Sequence, residues 1–192
     1  MKDRTLVLLK PDAVKKSVTG KIISRFEDAG LKIIAMKMIF VDKELAENHY
    51  FLDETWARGI YEKTKAGYEK DGKNFPYKNH LDIGKTIQKW NMEFLMEGPV
   101  VAIVLEGPHA IEIVRKIVGS TEPRASQPGT IRSDFASVES YSVADEGKRV
   151  LRNLIHASDS NETAKREIAL WFSPEEIHSN YKTVHEMLLE KN

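Results

Sequence analysis

His156 lies where a histidine could act as a nucleophile. It follows the apolar residues 154–155 and precedes residues 157–160, which are small or polar and begin a predicted helix. A neutral imidazole is nucleophilic near neutral pH, because its unperturbed pKa is about 6.5. Ser158 can hydrogen-bond nearby groups, and a carboxylate such as Glu167 would fix the tautomer and stabilise the cation that forms. Taken alone, a histidine in this position is more often a core residue.

The other five histidines have no comparable surroundings in the sequence. They are His49, His80, His109, His178 and His185. None of them has the spacing of metal ligands, so we expect no metal held by protein side chains alone. The chain has no cysteine, which excludes disulfides, thiol nucleophiles and zinc fingers.

Basic side chains at two other places could bind phosphate. Lys10 ends the first predicted strand, and Arg115 and Arg132 flank a loop that contains Thr121 and several prolines. Arginine presents a rigid fork that can bind phosphate through two hydrogen bonds. Each of these residues, taken alone, also fits an ordinary charged side chain at the surface.

Apolar patterning predicts the elements that would position these residues. Strands are predicted at residues 5–9, 31–41, 100–105 and, more weakly, 150–155. Amphipathic helices are predicted between them. Residues 54–97 are predicted to be surface structure interrupted by glycines, of which residues 83–94 could form a helix. This alternation predicts an α+β sandwich, one sheet with helices mostly on one face.

Length and charge limit the classes of protein that the chain can belong to. Its 192 residues suit one domain, residues 1–192. Lys plus Arg and Asp plus Glu both number 29, so no overall positive field recruits nucleic acid or a membrane. The N-terminus lacks the apolar core of a signal peptide, and no apolar stretch is long enough to cross a bilayer. We therefore expect a cytoplasmic protein.

Several separated segments together resemble the nucleoside diphosphate kinase family. They are residues 4–14, residues 128–132 and residues 153–160, and the last of these matches the family signature N-x-x-H-[GA]-S-D. The similarity continues through residues 164–176. The resemblance implies a ferredoxin-like α/β sandwich with an antiparallel sheet covered by helices. It also implies transfer of the γ-phosphoryl of a nucleoside triphosphate, mainly ATP, to nucleoside or deoxynucleoside diphosphates by a ping-pong route through phosphohistidine.

The resemblance also implies a role for each matching residue. His156 matches the nucleophile, which Ser158 and Glu167 support and beside which Tyr50 packs. Lys10 and Asn153 match residues that contact the sugar hydroxyls, with Lys10 also near phosphate. Residues expected to hold the terminal phosphates are Arg115, Thr121 and Arg132. Mg²⁺ would arrive on the nucleotide phosphates, so no metal ligand is expected from the protein.

Two segments depart from the usual family spacing. Extra residues lie at about 54–97 and, fewer, at about 133–149, both near the expected place of the base. Phe75 is our prediction for the residue that stacks on the base, with Tyr77 and Trp90 as alternatives, and Val150 would lie on the other side of the base. The resemblance further implies a homo-oligomer, a hexamer or tetramer. A nucleotide-binding or scaffold module of the same fold is the alternative function.

Overall fold

Four antiparallel strands form the sheet of this computed structural model, which describes residues 2–70, 72 and 74–189. The strands are β1 (Lys2–Leu9), β2 (Lys32–Phe40), β3 (Pro99–Pro108) and β4 (Ile155–Ala157), in the spatial order β2-β3-β1-β4. The predicted α+β sandwich with an antiparallel sheet is therefore confirmed. The fourth strand was predicted too early: it begins at Ile155, because Leu154 has a φ of +67° and cannot continue an extended strand.

Helices fill the connections between the strands. The first five are α1 (Pro11–Lys15), α2 (Thr19–Asp28), α3 (Lys43–His49), α4 (Glu54–Lys70) and α5 (His80–Met96). The others are α6 (Ala110–Val118), α7 (Ile131–Ala136), α8 (Tyr141–Glu146), α9 (Asn161–Trp171) and α10 (Val184–Leu189). Short 3₁₀ turns lie at Pro123–Ala125 and Pro174–Glu176.

Helices cover both faces of the sheet, so the prediction that they lie mostly on one face is wrong. Alternate residues of β1 belong to different cores: Val7 and Leu9 pack with α2 and α6, whereas Leu6 and Leu8 pack with α3, α5 and α9. The strand is fully buried from Leu6 to Leu9, as a strand covered on both faces must be.

The segment predicted as surface structure is largely two long helices. Helices α4 and α5 pack against each other, and Ala57 and Ile83 between them are fully buried. A Cβ at Gly84 would lie 2.9 Å from the Cβ of Ala57, so the glycine permits this close approach. The glycines that suggested a loop lower helix propensity, but tertiary packing overrides it here. None of the helices among residues 2–70 and 74–189 combines the length and apolar character needed to cross a membrane.

Candidate active site

The pairing of β4 with β1 decides the direction in which His156 faces. His156 pairs with Leu8, while its neighbours Ile155 and Ala157 lie in the core shared with α2 and α6. Because side chains alternate along a strand, His156 faces the opposite side, towards α3 and α9. About a quarter of its side chain is exposed, so the ring is supported by the protein and still reachable from solvent.

A buried carboxylate holds one nitrogen of this histidine. Nε2 of His156 lies 2.9 and 3.0 Å from the two oxygens of Glu167, and the Ser158 hydroxyl donates to the same carboxylate at 2.6 Å. Glu167 and Ser158 are both buried. A carboxylate accepts hydrogen bonds, so the ring proton sits on Nε2 and the Nδ1 lone pair is left for chemistry.

A network of polar and basic side chains lies at the start of β4. Lys10 Nζ donates to Asn153 Oδ1 at 2.8 Å, and Asn153 Nδ2 donates to the Thr121 carbonyl at 2.8 Å. The Arg132 guanidinium donates to three carbonyls, those of Asn153 (3.3 Å), Gly119 (3.0 Å) and Ile155 (2.7 Å). These bonds join the end of β1, the loop after α6 and the segment before His156 into one unit.

Burial and like charge lower the pKa values of both cations in this network. Desolvation lowers the pKa of Lys10 to about 8, and the neighbouring charge of Arg132 adds to the effect. Desolvation also lowers the pKa of Arg132 to about 10, with Arg115 as the next cause. Two buried cations with mostly neutral acceptors form a place where an anion would be stabilised.

Asp12 fixes the backbone that leads into His156. Its Oδ1 accepts from the Ala13 N–H and its Oδ2 from the Leu154 N–H, both at 3.0 Å. The Lys10 N–H donates to the Leu154 carbonyl at 2.8 Å. Leu154 has a positive φ, a conformation that costs a non-glycine residue roughly 1–3 kcal/mol. The hydrogen bonds on both sides of Leu154 hold this strained turn, and the turn places Asn153 and His156 around one site.

Comparison with known sequences decides the family. The family model described as nucleoside diphosphate kinase matches residues 3–70 and 69–177. The nucleoside diphosphate kinase of Pyrobaculum aerophilum is 44% identical over 179 residues, which cover 91% of this chain and 97% of that protein. The chain belongs to the nucleoside diphosphate kinase family. It is a nucleotide phosphotransferase, and the resemblance seen in its motifs is confirmed.

Solved structures of nucleoside diphosphate kinases agree with this assignment. A crystal structure of an NDP kinase from Pyrobaculum aerophilum has a TM-score of 0.89 at 40% identity, covering 93% of this chain and all of that one. A transition-state mimic of the kinase from Borrelia burgdorferi, with bound vanadate and ADP, has a TM-score of 0.80 at 35% identity and covers 97% of this chain and 96% of that one. The likeness therefore spans nearly the whole chain.

Most of the residues predicted for the site lie around His156. Arg115 Nη1 donates to the Ala157 carbonyl at 3.4 Å, next to the histidine. Tyr50 directly follows α3. Burial raises the pKa of its hydroxyl, and the Glu167 charge adds to the rise, so the hydroxyl remains a hydrogen-bond donor. Val150 is half-buried, three residues before Asn153.

Phe75 lies in a separate aromatic cluster within the first extra segment. Its ring makes edge-to-face contacts with Tyr61, Tyr68 and Tyr77, at centroid distances of 5.1–5.6 Å. Within the part of the chain that the structure describes, the ring contacts of Phe75 are all to these three tyrosines. Phe94 was not predicted, yet its ring lies 5.6 Å from Lys10 Nζ and 5.0 Å from the Arg152 guanidinium.

His49 is the neighbour of His156 that the sequence did not reveal, so the expectation that it lacks special surroundings is wrong. The two rings meet edge to face, with centroids 4.6 Å apart. Trp171 Nε1 donates to His49 Nδ1 at 3.3 Å from a position 122 residues away. Partners this distant leave no local pattern, and proximity in sequence to Tyr50 was the one available signal.

The three side chains His49, His156 and Glu167 are close enough to suggest a metal site. One ligand atom from each lies within 4.8 Å of the others. The hydrogen bonds oppose this interpretation. Nδ1 of His49 accepts from the indole of Trp171, and Nε2 of His156 faces a carboxylate, so in both rings Nε2 carries the proton and lacks a free lone pair. In this cluster both Nε2 atoms are therefore hydrogen-bond donors, and Glu167 accepts from that of His156.

Proposed function

We propose that the enzyme carries the transferred phosphoryl group on Nδ1 of His156. ATP would be the main donor, and nucleoside or deoxynucleoside diphosphates the acceptors, in two half-reactions of a ping-pong cycle. The observation that carries this proposal is the pair of contacts at 2.9 and 3.0 Å between His156 Nε2 and Glu167. They leave Nδ1 as the nucleophilic nitrogen and place a negative charge beside the cation that phosphorylation creates.

Labelling with γ-³²P-ATP tests the phosphohistidine directly. We expect a label on the protein that is stable in base and labile in acid, that ADP or dTDP removes as the triphosphate, and that is absent from His156→Ala. A control variant, His178→Ala, changes an exposed histidine of the surface and should label normally. Labelling of His156→Ala at the wild-type level would contradict the proposal. Labelling without transfer to a diphosphate would contradict the second half-reaction of the proposed cycle.

We propose further that the basic network binds the sugar and phosphates. Lys10 and Asn153 would contact the sugar hydroxyls, while Arg115, Thr121 and Arg132 would hold the terminal phosphates. The hydrogen-bonded arrangement around Asn153 supports this, because it presents cations with neutral acceptors. Phosphoryl transfer depends mainly on positioning and charge neutralisation, which such a site supplies.

Mg²⁺ would enter as part of the nucleotide substrate. Cations surround the place where phosphates would lie, and the carboxylates there, Asp12 and Glu167, already accept hydrogen bonds from protein groups. Mg²⁺ keeps several waters and is commonly held by substrate phosphates, so these residues suit an ion carried on the nucleotide. It would neutralise phosphate charge, while the protein residues orient the nucleotide.

We propose that the chain works as one domain that assembles into a homo-oligomer, a hexamer or tetramer. Strand β2 is at an edge of the sheet, and Met36, Met38 and Phe40 on it are 55%, 58% and 76% exposed. An edge strand with a row of exposed apolar side chains favours association with another copy. The loop at residues 120–132 is a second proposed contact. The cytoplasm, where a cysteine-free nucleotide enzyme would meet its substrates, is the proposed compartment.

A further inference from the structure

His49 is enclosed by aromatic rings at the end of α3. Its centroid lies 4.6 Å from that of Tyr50, 4.6 Å from that of His156 and 5.6 Å from that of Trp171, each contact edge to face. Only 4% of its surface is exposed. An apolar ring would provide the same packing in this place, so packing does not account for the two ring nitrogens of His49.

The tautomer of His49 follows from its contact with Trp171. An indole N–H can only donate, so Nδ1 of His49 accepts and, in the neutral ring, Nε2 carries the proton. The ring is neutral because burial lowers the pKa of His49 well below its ordinary value, and the charges of His156, Arg166 and Lys10 lower it further. His49 is therefore a neutral hydrogen-bond donor with a fixed direction.

This donor has no hydrogen-bond partner among the residues that the structure describes. Nε2 of His49 is one of three buried side-chain atoms left unpaired there. Leaving a buried donor unpaired costs about 1–3 kcal/mol. The other nitrogen is held by Trp171, four residues after Glu167 on the same helix, so α9 positions both histidines. An unpaired donor that is fixed so firmly beside a nucleophile points to a partner that arrives during the reaction.

We infer that His49 is a further catalytic residue, whose Nε2–H donates a hydrogen bond to the phosphoryl group as it passes to His156. The inference rests on the proposed phosphohistidine route. In that step the Nδ1 lone pair of His156 forms the P–N bond, and the bond from Pγ to the bridging oxygen breaks with its electron pair leaving on the nucleoside diphosphate. The Nε2 proton of His156 stays beside Glu167, and His49 transfers no proton.

The geometry fits a donor that acts on the moving group. The rings of His49 and His156 meet edge to face with centroids 4.6 Å apart, so His49 packs directly against the ring that would carry the group. One nitrogen of each ring and an oxygen of Glu167 also lie within 4.8 Å of one another. The cations of the site attract phosphate before and after transfer, whereas His49 gains its hydrogen bond only when the phosphoryl group comes next to it. An interaction made only at that stage accelerates the chemical step.

Two substitutions separate hydrogen bonding from packing. His49→Phe keeps an aromatic ring and removes both nitrogens, whereas His49→Gln loses the ring and places an amide N–H near the position of Nε2. The measurement is the single-turnover rate of His156 phosphorylation by ATP, together with ADP affinity and thermal stability. We expect the phosphorylation rate to fall about 100-fold in His49→Phe, with ADP affinity unchanged, and to fall less in His49→Gln. A faster His49→Phe than His49→Gln would overturn the inference and leave His49 as a packing residue.

A measurement on the unmodified enzyme covers the case in which neither variant folds. In protein labelled with ¹⁵N-histidine, the Nε2 proton of His49 should shift downfield when ATP phosphorylates His156 and return when ADP removes the phosphate. An unchanged resonance in the phosphorylated enzyme would contradict only the role of His49 and would leave the phosphohistidine route intact. Failure of the enzyme to take up phosphate on His156 would contradict the proposed function instead, so the two failures are distinguishable.

Discussion

The two sides of His156 are built from different kinds of group. On the α9 side, Glu167 is bonded to His156 and Ser158, and the hydrogen-bonded pair of Trp171 and His49 lies next to them. On the loop side, Lys10 and Arg132 donate to amide and carbonyl oxygens. One side fixes the orientation and tautomer of the nucleophile, and the other presents buried positive charge.

This difference separates two properties of the enzyme. Groups that fix the imidazole should change the rate of phosphoryl transfer with little effect on nucleotide affinity. Groups that present positive charge should change affinity, because they attract phosphate whether or not transfer is under way. A variant on the α9 side that changed nucleotide affinity, or a variant on the loop side that changed the transfer rate, would show that the two sides do not act separately.

Glu167→Gln should give the largest effect on the α9 side. Glutamine can still accept from His156, but it brings no negative charge to stabilise the phosphorylated ring and has one acceptor oxygen where the carboxylate has two. We expect the single-turnover phosphorylation rate to fall on the order of 100-fold, with the Kd for ADP unchanged. Rapid-quench labelling and equilibrium binding measure the two quantities. A higher Kd for ADP with a normal phosphorylation rate would mean that Glu167 acts in nucleotide binding, as the loop-side cations do.

Arg132→Lys should give the corresponding effect on the loop side. A single ammonium cannot satisfy three carbonyls that point at a planar guanidinium, nor bind phosphate through a fork. We expect the Kd for ADP to rise about 30-fold, which corresponds to roughly 2 kcal/mol. Denaturant unfolding should show a loss of about 1–3 kcal/mol from the unpaired carbonyls. Arg124→Lys, at an exposed arginine of the same loop, is the control.

The pH dependence of affinity should identify Lys10 as a loop-side cation. Its pKa of about 8 means that its charge is lost as the pH rises from 7 to 9. If the charged form binds nucleotide, the Kd for ADP should rise about 10-fold by pH 9, and binding should take up a proton near pH 8. Calorimetry in buffers of different ionisation enthalpy detects that uptake.

Over part of this pH range, folding stability should rise with pH while the affinity for ADP falls. Because the folded pKa of Lys10 lies below the unfolded value of 10.5, the unfolded chain binds more protons between about pH 8 and 10.5. The contribution of Lys10 to folding stability therefore rises with pH in that window, while affinity falls. Lys10→Gln should remove both dependences, and a pH-independent Kd in the unsubstituted enzyme would show that Lys10 does not carry the binding charge.

The sequence could predict the parts of the site that depend on strand ends and nearby loops. Lys10 directly follows β1 and His156 lies on β4, which pairs with β1, and it was the resemblance of both segments to one family that joined them in the prediction. The role of Asp12 depends on the strained turn at Leu154, 142 residues away, which has no local signal. His49 and the packing of α4 against α5 likewise depend on distant contacts that override local propensity.

Substitution of Phe75 should give the smallest effect. It tests the base, which is the end of the nucleotide farthest from His156. The ring lies among three tyrosines, so it would reach a base only as part of that cluster. If it stacks there, Phe75→Leu should raise the Kd for ADP about 5-fold, roughly 1 kcal/mol, the low end for stacking of a base on an aromatic ring. Tripolyphosphate, which has no base, should bind unchanged, because the loop side is intact. Equal weakening for both ligands would mean that the substitution disturbs the α4–α5 packing, and an effect of Trp90→Leu confined to ADP would move the base to that residue.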